Sequence, residues 1–206
     1  KQYHYAPQAP EAALLLASMY KKELGSPATA FSIYHLFPEA FPESDKIAEA
    51  KSYLPGNVPP LPQRIDSMAA GIINAKTGQL DARIANDYIQ TCELSALLLP
   101  KAPDAAKMLY KAGDVSRATG AQDKALEYYE QTYTAFPDDE RASEALFMHA
   151  FTLDNDLKRH DEAKVLYEAF LKKYPNDDFA DDAQFLLKNL GKSEEEIFKA
   201  LEEQVK

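Results

Sequence analysis

The side chains most able to hold a metal or act as a nucleophile are four histidines, His4, His35, His149 and His160, and one cysteine, Cys92. A helical zinc site needs ligands one turn apart, and no two of these histidines have that spacing or a cysteine nearby. The run Asp154-Asn155-Asp156, followed by Asp161-Glu162, has the composition of a calcium loop. However, Lys158 and Arg159 stand where an EF-hand requires Asp, Asn or Gly, so the charges read as a solvated turn. Asp177, Asp178, Asp181 and Asp182 read as carboxylates opening a helix, where they face the positive end of its dipole. The chain has no Gly-rich phosphate loop and no G-x-S-x-G elbow. Carboxylate pairs are numerous, but an acidic helical chain supplies them by chance. Neither catalysis nor a cofactor or metal is expected. Cys92 lies among Ile89, Leu94 and Leu97 and reads as a packing residue; being single, it excludes an internal disulfide framework.

With no chemistry concentrated in a motif, the elements themselves carry the information. Ala125, Tyr129 and Pro137 recur as Ala163, Tyr167 and Pro175, 38 residues on. Leu109 with Phe147, Ala112 with Ala150, Val115 with Leu153 and Ala142 with Ala180 keep the same offset. Self-similarity at a fixed period marks a repeat array. Leu109, Ala112, Gly113 and Ser116 mark one face of a first helix, in which Ala112 and Gly113 allow close approach. A second helix carries Ala125, Leu126, Tyr129, Tyr133 and Phe136, with aromatic rings filling the space between successive units. Pro137 and Pro175 lack an N–H and end that helix.

These residues resemble the tetratricopeptide repeat family. Its pattern maps onto Leu109, Ala112-Gly113, Ala125, Tyr129 and Pro137, and again onto Phe147, Ala150-Phe151, Ala163, Tyr167, Phe170 and Pro175. Phe151 replaces the usual Gly, which predicts looser or differently angled helix packing there, and the 38-residue spacing exceeds the usual 34. That spacing and the Tyr174-Pro175-Asn176-Asp177 ending resemble the bacterial envelope branch, which includes the tetratricopeptide lipoprotein of the outer-membrane barrel-assembly machine and the Tol-associated periplasmic coordinator. The resemblance implies an all-α, right-handed superhelical solenoid of helix pairs. It also implies a non-catalytic scaffold that binds a peptide segment or membrane-protein partner on its concave face. The expected location is periplasmic, with an outer-membrane anchor; a cytoplasmic adaptor and a structural subunit of a larger assembly are the alternatives.

In this register the outward positions of the first helices are Lys107, Tyr110, Asp114 and Arg117 in one repeat, and Ala145, Met148, Thr152 and Asn155 in the next. Tyr, Met and Arg side chains within mutual reach suit protein recognition. The same positions would face solvent or pack on neighbouring helices if they bind nothing. Asp114 stands where a carboxylate-clamp repeat has Asn and would repel a carboxylate.

The net charge of −10 makes nucleic acid a poor partner. The longest apolar run, Ala12 to Ala17, is far short of the ~18–20 residues that span a bilayer, so membrane contact is expected only through a lipid anchor outside this numbering. An irregular leader at 1–10 precedes a helix from Glu11 to Leu24, then one capped by Ser26 with Pro27 at its first position. Ala30, Tyr34 and Pro42 repeat the signature, and Pro38 is expected to end that helix early. A helix from Lys46 to Leu54 completes a divergent N-terminal repeat, 1–54. Pro55, Gly56, Pro59, Pro60 and Pro62 make a stiff connection at 55–62. The array at 63–206 begins with helices from Gln63 to Ala75, with Ile65, Met68, Ala69 and Ile72 inward, and from Leu80 to Leu98. It ends in a capping helix from Ser193 through Gln204, with Ile197, Phe198 and Leu201 as its apolar stripe.

Overall fold

A computed structural model describes residues 6–192 together with 195 and 196. Its described residues form ten α-helices, one π-helical turn and a single isolated β-bridge, so the fold is an all-α helical repeat. The chain divides into two compact units, Lys1–Gly120 and Ala121–Lys206. Lys1 to Tyr5 of the leader, including His4, and all of the expected capping helix except residues 195 and 196 lie outside the described residues.

The first unit holds α1 (Ala9–Lys22), α2 (Pro27–Ala40), α3 (Ile47–Ser52), α4 (Leu61–Gly71), α5 (Ala82–Leu98) and α6 (Ala105–Ala118). Helix α2 packs against α1, α3 and α5, and α5 also packs against α4 and α6. Gly25, at φ +66, reverses the chain after α1, and the Ser26 N–H donates to the Tyr20 carbonyl at 2.9 Å. Ala30 and Tyr34 are buried, as the repeat register requires.

Several local expectations change. Ser26 occupies the N-cap position of α2, but its hydroxyl donates to Asp87 Oδ1 on α5 at 2.8 Å instead of capping. Pro38 does not end α2, which continues to Ala40, because a proline in the last turn removes only one intrahelical bond. Pro62 lies in the first turn of α4, where its missing N–H has no helical partner to lose, and so it opens that helix. At the other end α4 stops at Gly71, short of Ala75. There the chain turns back on itself: Asn74 Oδ1 accepts from the N–H groups of Lys76 and Thr77, and Ile73 bridges Leu80. Ile65 is buried, whereas Ala69 faces solvent. Asp81 then caps α5, accepting from Arg83 and Ile84 N–H groups at 3.0 Å.

A polar seam runs through the contact of α2 with α4 and α5, beside the buried Ile33 and Leu36. Thr29 Oγ1 donates to Gln90 Oε1 at 3.1 Å, and the hydroxyls of Ser32 and Thr91 are bonded at 3.0 Å. Arg64 of α4 donates through Nη2 to the Ala28 carbonyl at 2.7 Å and to Ser32 Oγ at 3.3 Å. Ser32 and Thr91 are fully buried, so each bond satisfies groups that would otherwise be stranded away from water.

The second unit holds α7 (Gln122–Ala135), α8 (Arg141–Phe151), the π turn (Thr152–Asp156), α9 (His160–Lys173) and α10 (Ala180–Lys188). Consecutive helices pack against one another. Asp139 and Asp177 accept from the backbone N–H groups of Arg141 and Phe179 at 2.9 and 3.0 Å, closing turns that lead into α8 and α10, whose N-cap residues Glu140 and Phe179 make no side-chain capping bond. The core centres on Phe147, whose ring lies 4.8 Å from Phe179, 5.7 Å from Phe170 and 6.2 Å from Tyr167. Phe151, in the place of the usual Gly, stacks on Phe147 at 6.2 Å and 21°. Where α8 ends, the helix widens: the Leu157 N–H donates to the Thr152 carbonyl, five residues back, at 3.1 Å. Such a bulge takes up extra sequence within a helix, which accounts for part of the long repeat. Lys158 follows at φ +56, the position held by Gly120 at φ +84 one repeat earlier.

Candidate functional site

Lys107, Tyr110, Asp114 and Arg117 lie at steps of three and four along α6 and therefore share one of its faces. The opposite face is buried through Leu109, Ala112, Gly113 and Ser116. Lys107 is exposed, and Tyr110, Asp114 and Arg117 are half-buried. Of these four, only Lys107 lines a cleft of about 560 Å³ in the first unit, walled by α2, α4, the end of α5 and the start of α6.

The floor of that cleft is apolar and buried: Leu36, Leu61, Ile65 and Ala105. Lys107 and Lys111, one turn apart on α6, line it, as do Glu39 of α2 and Asp66 of α4. Among the described residues none of these four charges is in an ion pair. His35 also lines the cleft. Burial, reinforced by the Arg64 guanidinium, lowers its pKa, so its imidazole is neutral at pH 7 and able to donate or accept one hydrogen bond at each nitrogen. Apolar floor, charged rim and volume are those of a site that takes an amphipathic side chain or a short peptide.

The second repeat's expected face is only partly present. Met148 is half-buried and Asn155 exposed, with Asn155 Nδ2 donating to Asp156 Oδ1 at 2.8 Å. Thr152 is corrected: it is fully buried, and its hydroxyl returns to the Met148 carbonyl at 2.7 Å, leaving it unable to meet a partner. Ala145 is likewise buried rather than outward. Straight helical spacing projected both onto the wrong surface, because α8 is enclosed by α7 and α9.

Two histidine arrangements were not legible in the sequence. His160 Nδ1 lies 2.9 Å from Asp154 Oδ1, so Asp154 belongs to a pair joining the π turn to α9 and not to a solvated turn. Six residues separate the two, and only the reversal at Lys158 brings them together. The Tyr167 hydroxyl is buried close to this pair, and burial, followed by the Asp154 carboxylate, pushes its pKa up. His149 Nδ1 lies 3.3 Å from the Tyr133 hydroxyl. Burial, and then the Arg159 guanidinium, lowers the His149 pKa to about 4, and burial raises that of Tyr133 to about 12. Cys92 is fully buried with a thiol pushed up to about 12 by burial, which makes it unreactive. Among the described residues no group of three or more His, Cys, Asp or Glu side chains is arranged to hold a metal ion, and no helix is long and apolar enough to cross a membrane.

No curated protein matches this chain. Residues 107–139 and 144–177, the segments bearing most of α6 with α7 and most of α8 with α9, match the family model of the tetratricopeptide repeat, a unit that generally mediates protein–protein interaction.

Proposed function

We propose that this protein is a non-catalytic protein-interaction scaffold of the bacterial envelope, periplasmic or anchored at the outer membrane, that holds a peptide segment or a membrane-protein partner. The observation carrying this reading is the pair of tetratricopeptide repeats together with the cleft beside α6, which combines a buried apolar floor with unpaired charges. The Tyr174-Pro175-Asn176-Asp177 ending supports the envelope part through its resemblance to that branch. Contact through α6 is expected to weaken on Tyr110→Ala or Arg117→Ala. The test is affinity capture with the tagged chain from separated envelope and cytosolic fractions of the source cell, followed by mass spectrometry. Recovery of outer-membrane or cell-wall machinery supports the reading. Recovery of cytosolic proteins alone overturns the envelope assignment and leaves an adaptor.

A second reading, a structural subunit permanently packed in an assembly, draws on a different surface. An apolar groove between α1, α2 and α5 is lined by Leu16, Ile33, Phe41, Leu94 and Leu98, and Leu15 and Leu97 are 64% and 57% exposed. Light scattering of the purified chain separates the two readings: a monomer unaffected by Leu97→Glu leaves the scaffold standing.

A further inference from the structure

We propose that the cleft between α2, α4 and α6 reads a specific partner chemistry: an apolar side chain flanked on one side by an acidic residue and on the other by a basic one. The inference rests on the scaffold reading and deepens it.

Charge placement within the cleft is the argument. Lys107 and Lys111 stand on the α6 wall, whereas Glu39 and Asp66 stand on the walls of α2 and α4. Ion pairs among these four groups would neutralise the charges before any ligand met them. None forms among the described residues, so all four charges remain available to a ligand. Between the walls the floor offers Leu36, Leu61 and Ile65, all less than 10% exposed, with the half-buried Met108 beside them. Methionine adapts to varied apolar shapes and suits a site that takes more than one side chain. Asp114, which would repel a carboxylate, does not line this cleft. A segment laid across it therefore puts its carboxylate towards α6, its ammonium or guanidinium towards α2 and α4, and its apolar side chain onto the floor. His35 makes no hydrogen bond among the described residues and can meet the segment's backbone.

The probes are three capped tripeptides, acetyl-Glu-Leu-Lys-amide, acetyl-Glu-Leu-Glu-amide and acetyl-Lys-Leu-Lys-amide, titrated into the isotope-labelled full chain and followed through amide resonances. Acetyl-Glu-Leu-Lys-amide is expected to bind about three- to fivefold more tightly than either of the others, the worth of one partly exposed charge pair. Its perturbations should centre on Leu36, Ile65 and Met108. In Lys107→Glu/Lys111→Glu, whose folding is checked by its unperturbed remaining resonances, acetyl-Lys-Leu-Lys-amide should become the tightest of the three. Equal affinities, perturbations elsewhere, or a preference that ignores the charge reversal would each overturn the proposal. The same double variant used in the capture experiment keeps the two claims apart. Unchanged capture removes the cleft from partner binding and leaves the scaffold. Failure of the wild-type chain to capture any partner removes the scaffold reading, whatever the peptides do.

Discussion

The two units solve the same packing problem with different chemistry. In the first, a seam of hydroxyls, an amide, a carboxylate and a guanidinium joins α2 to α4 and α5 beside buried apolar residues such as Ile33 and Leu36. In the second, α8 meets α9 and Phe179, the residue just before α10, through rings gathered around Phe147. Aromatic packing tolerates small shifts because dispersion is non-directional and spread over many atoms. The polar seam does not: a displaced Thr29 or Ser32 leaves a buried hydroxyl without a partner, so the seam sets helix register more strictly than it adds stability. The matched repeats lie towards the C-terminal side, and the aromatic core falls where the sequence signature is clearest. The polar seam falls where the signature is weakest.

The largest test of this contrast is Phe147→Ala. Removing the hub ring from a core in which it is 6% exposed should cost about 3–4 kcal/mol in urea unfolding, with the loss of hydrogen-exchange protection concentrated in α8, α9 and α10. A loss below about 1 kcal/mol would mean that the cluster relaxes to fill the space and is not the keystone of the unit.

Next in size is a pH effect confined to the second unit. His149 is held neutral, with a folded pKa of about 4 against 6.5 for an unperturbed imidazole, and it faces Tyr133 from α7 and Arg159 and Glu162 from the start of α9. Because the unfolded chain binds the proton more readily, stability is intact above about pH 6.5 and is lost as the pH falls from 6.5 towards 4, by roughly 2–3 kcal/mol in all. His149→Phe should flatten that part of the stability–pH curve. A curve of the same slope in the variant would assign the acid sensitivity to other groups.

Asp87→Ala addresses the polar seam. It strips Ser26 and Thr29 of their shared acceptor and leaves Arg64 without a nearby carboxylate, at about 1–2 kcal/mol. Exchange protection should fall in α2 and α5 while α8 and α9 are untouched. Equal loss in both units would show that they unfold together.

The smallest effect compares one backbone position in the two repeats. Gly120 and Lys158 both have positive φ, which costs a residue with a Cβ about 1 kcal/mol. Lys158→Gly should gain about 0.5 kcal/mol once the extra freedom of glycine in the unfolded chain is counted. Gly120→Lys should lose about 1 kcal/mol; space is available there, so the loss comes from the backbone alone. Both are read from denaturation midpoints, and a loss on Lys158→Gly would mean that the lysine side chain contributes a contact.

Period and composition decided the all-α class, the helix pairing and the buried signature positions, because local spacing determines which face of a helix is apolar before any neighbour is chosen. Ala30 with Tyr34, Ala125 with Tyr129 and Ala163 with Tyr167 all proved buried. Of the eight positions placed outward on the first helices, Ala145 and Thr152 failed, since their exposure depends on what encloses α8 and not on their own spacing. Ser26 carried a capping signal that a carboxylate 61 residues away redirected. The Asp154–His160 pair needed the left-handed backbone at Lys158, and the cleft needed α2, α4 and α6 to converge from distant parts of the chain. Local periodicity fixes faces, but only the tertiary structure brings together charges that lie tens of residues apart, and the candidate site is made of such charges.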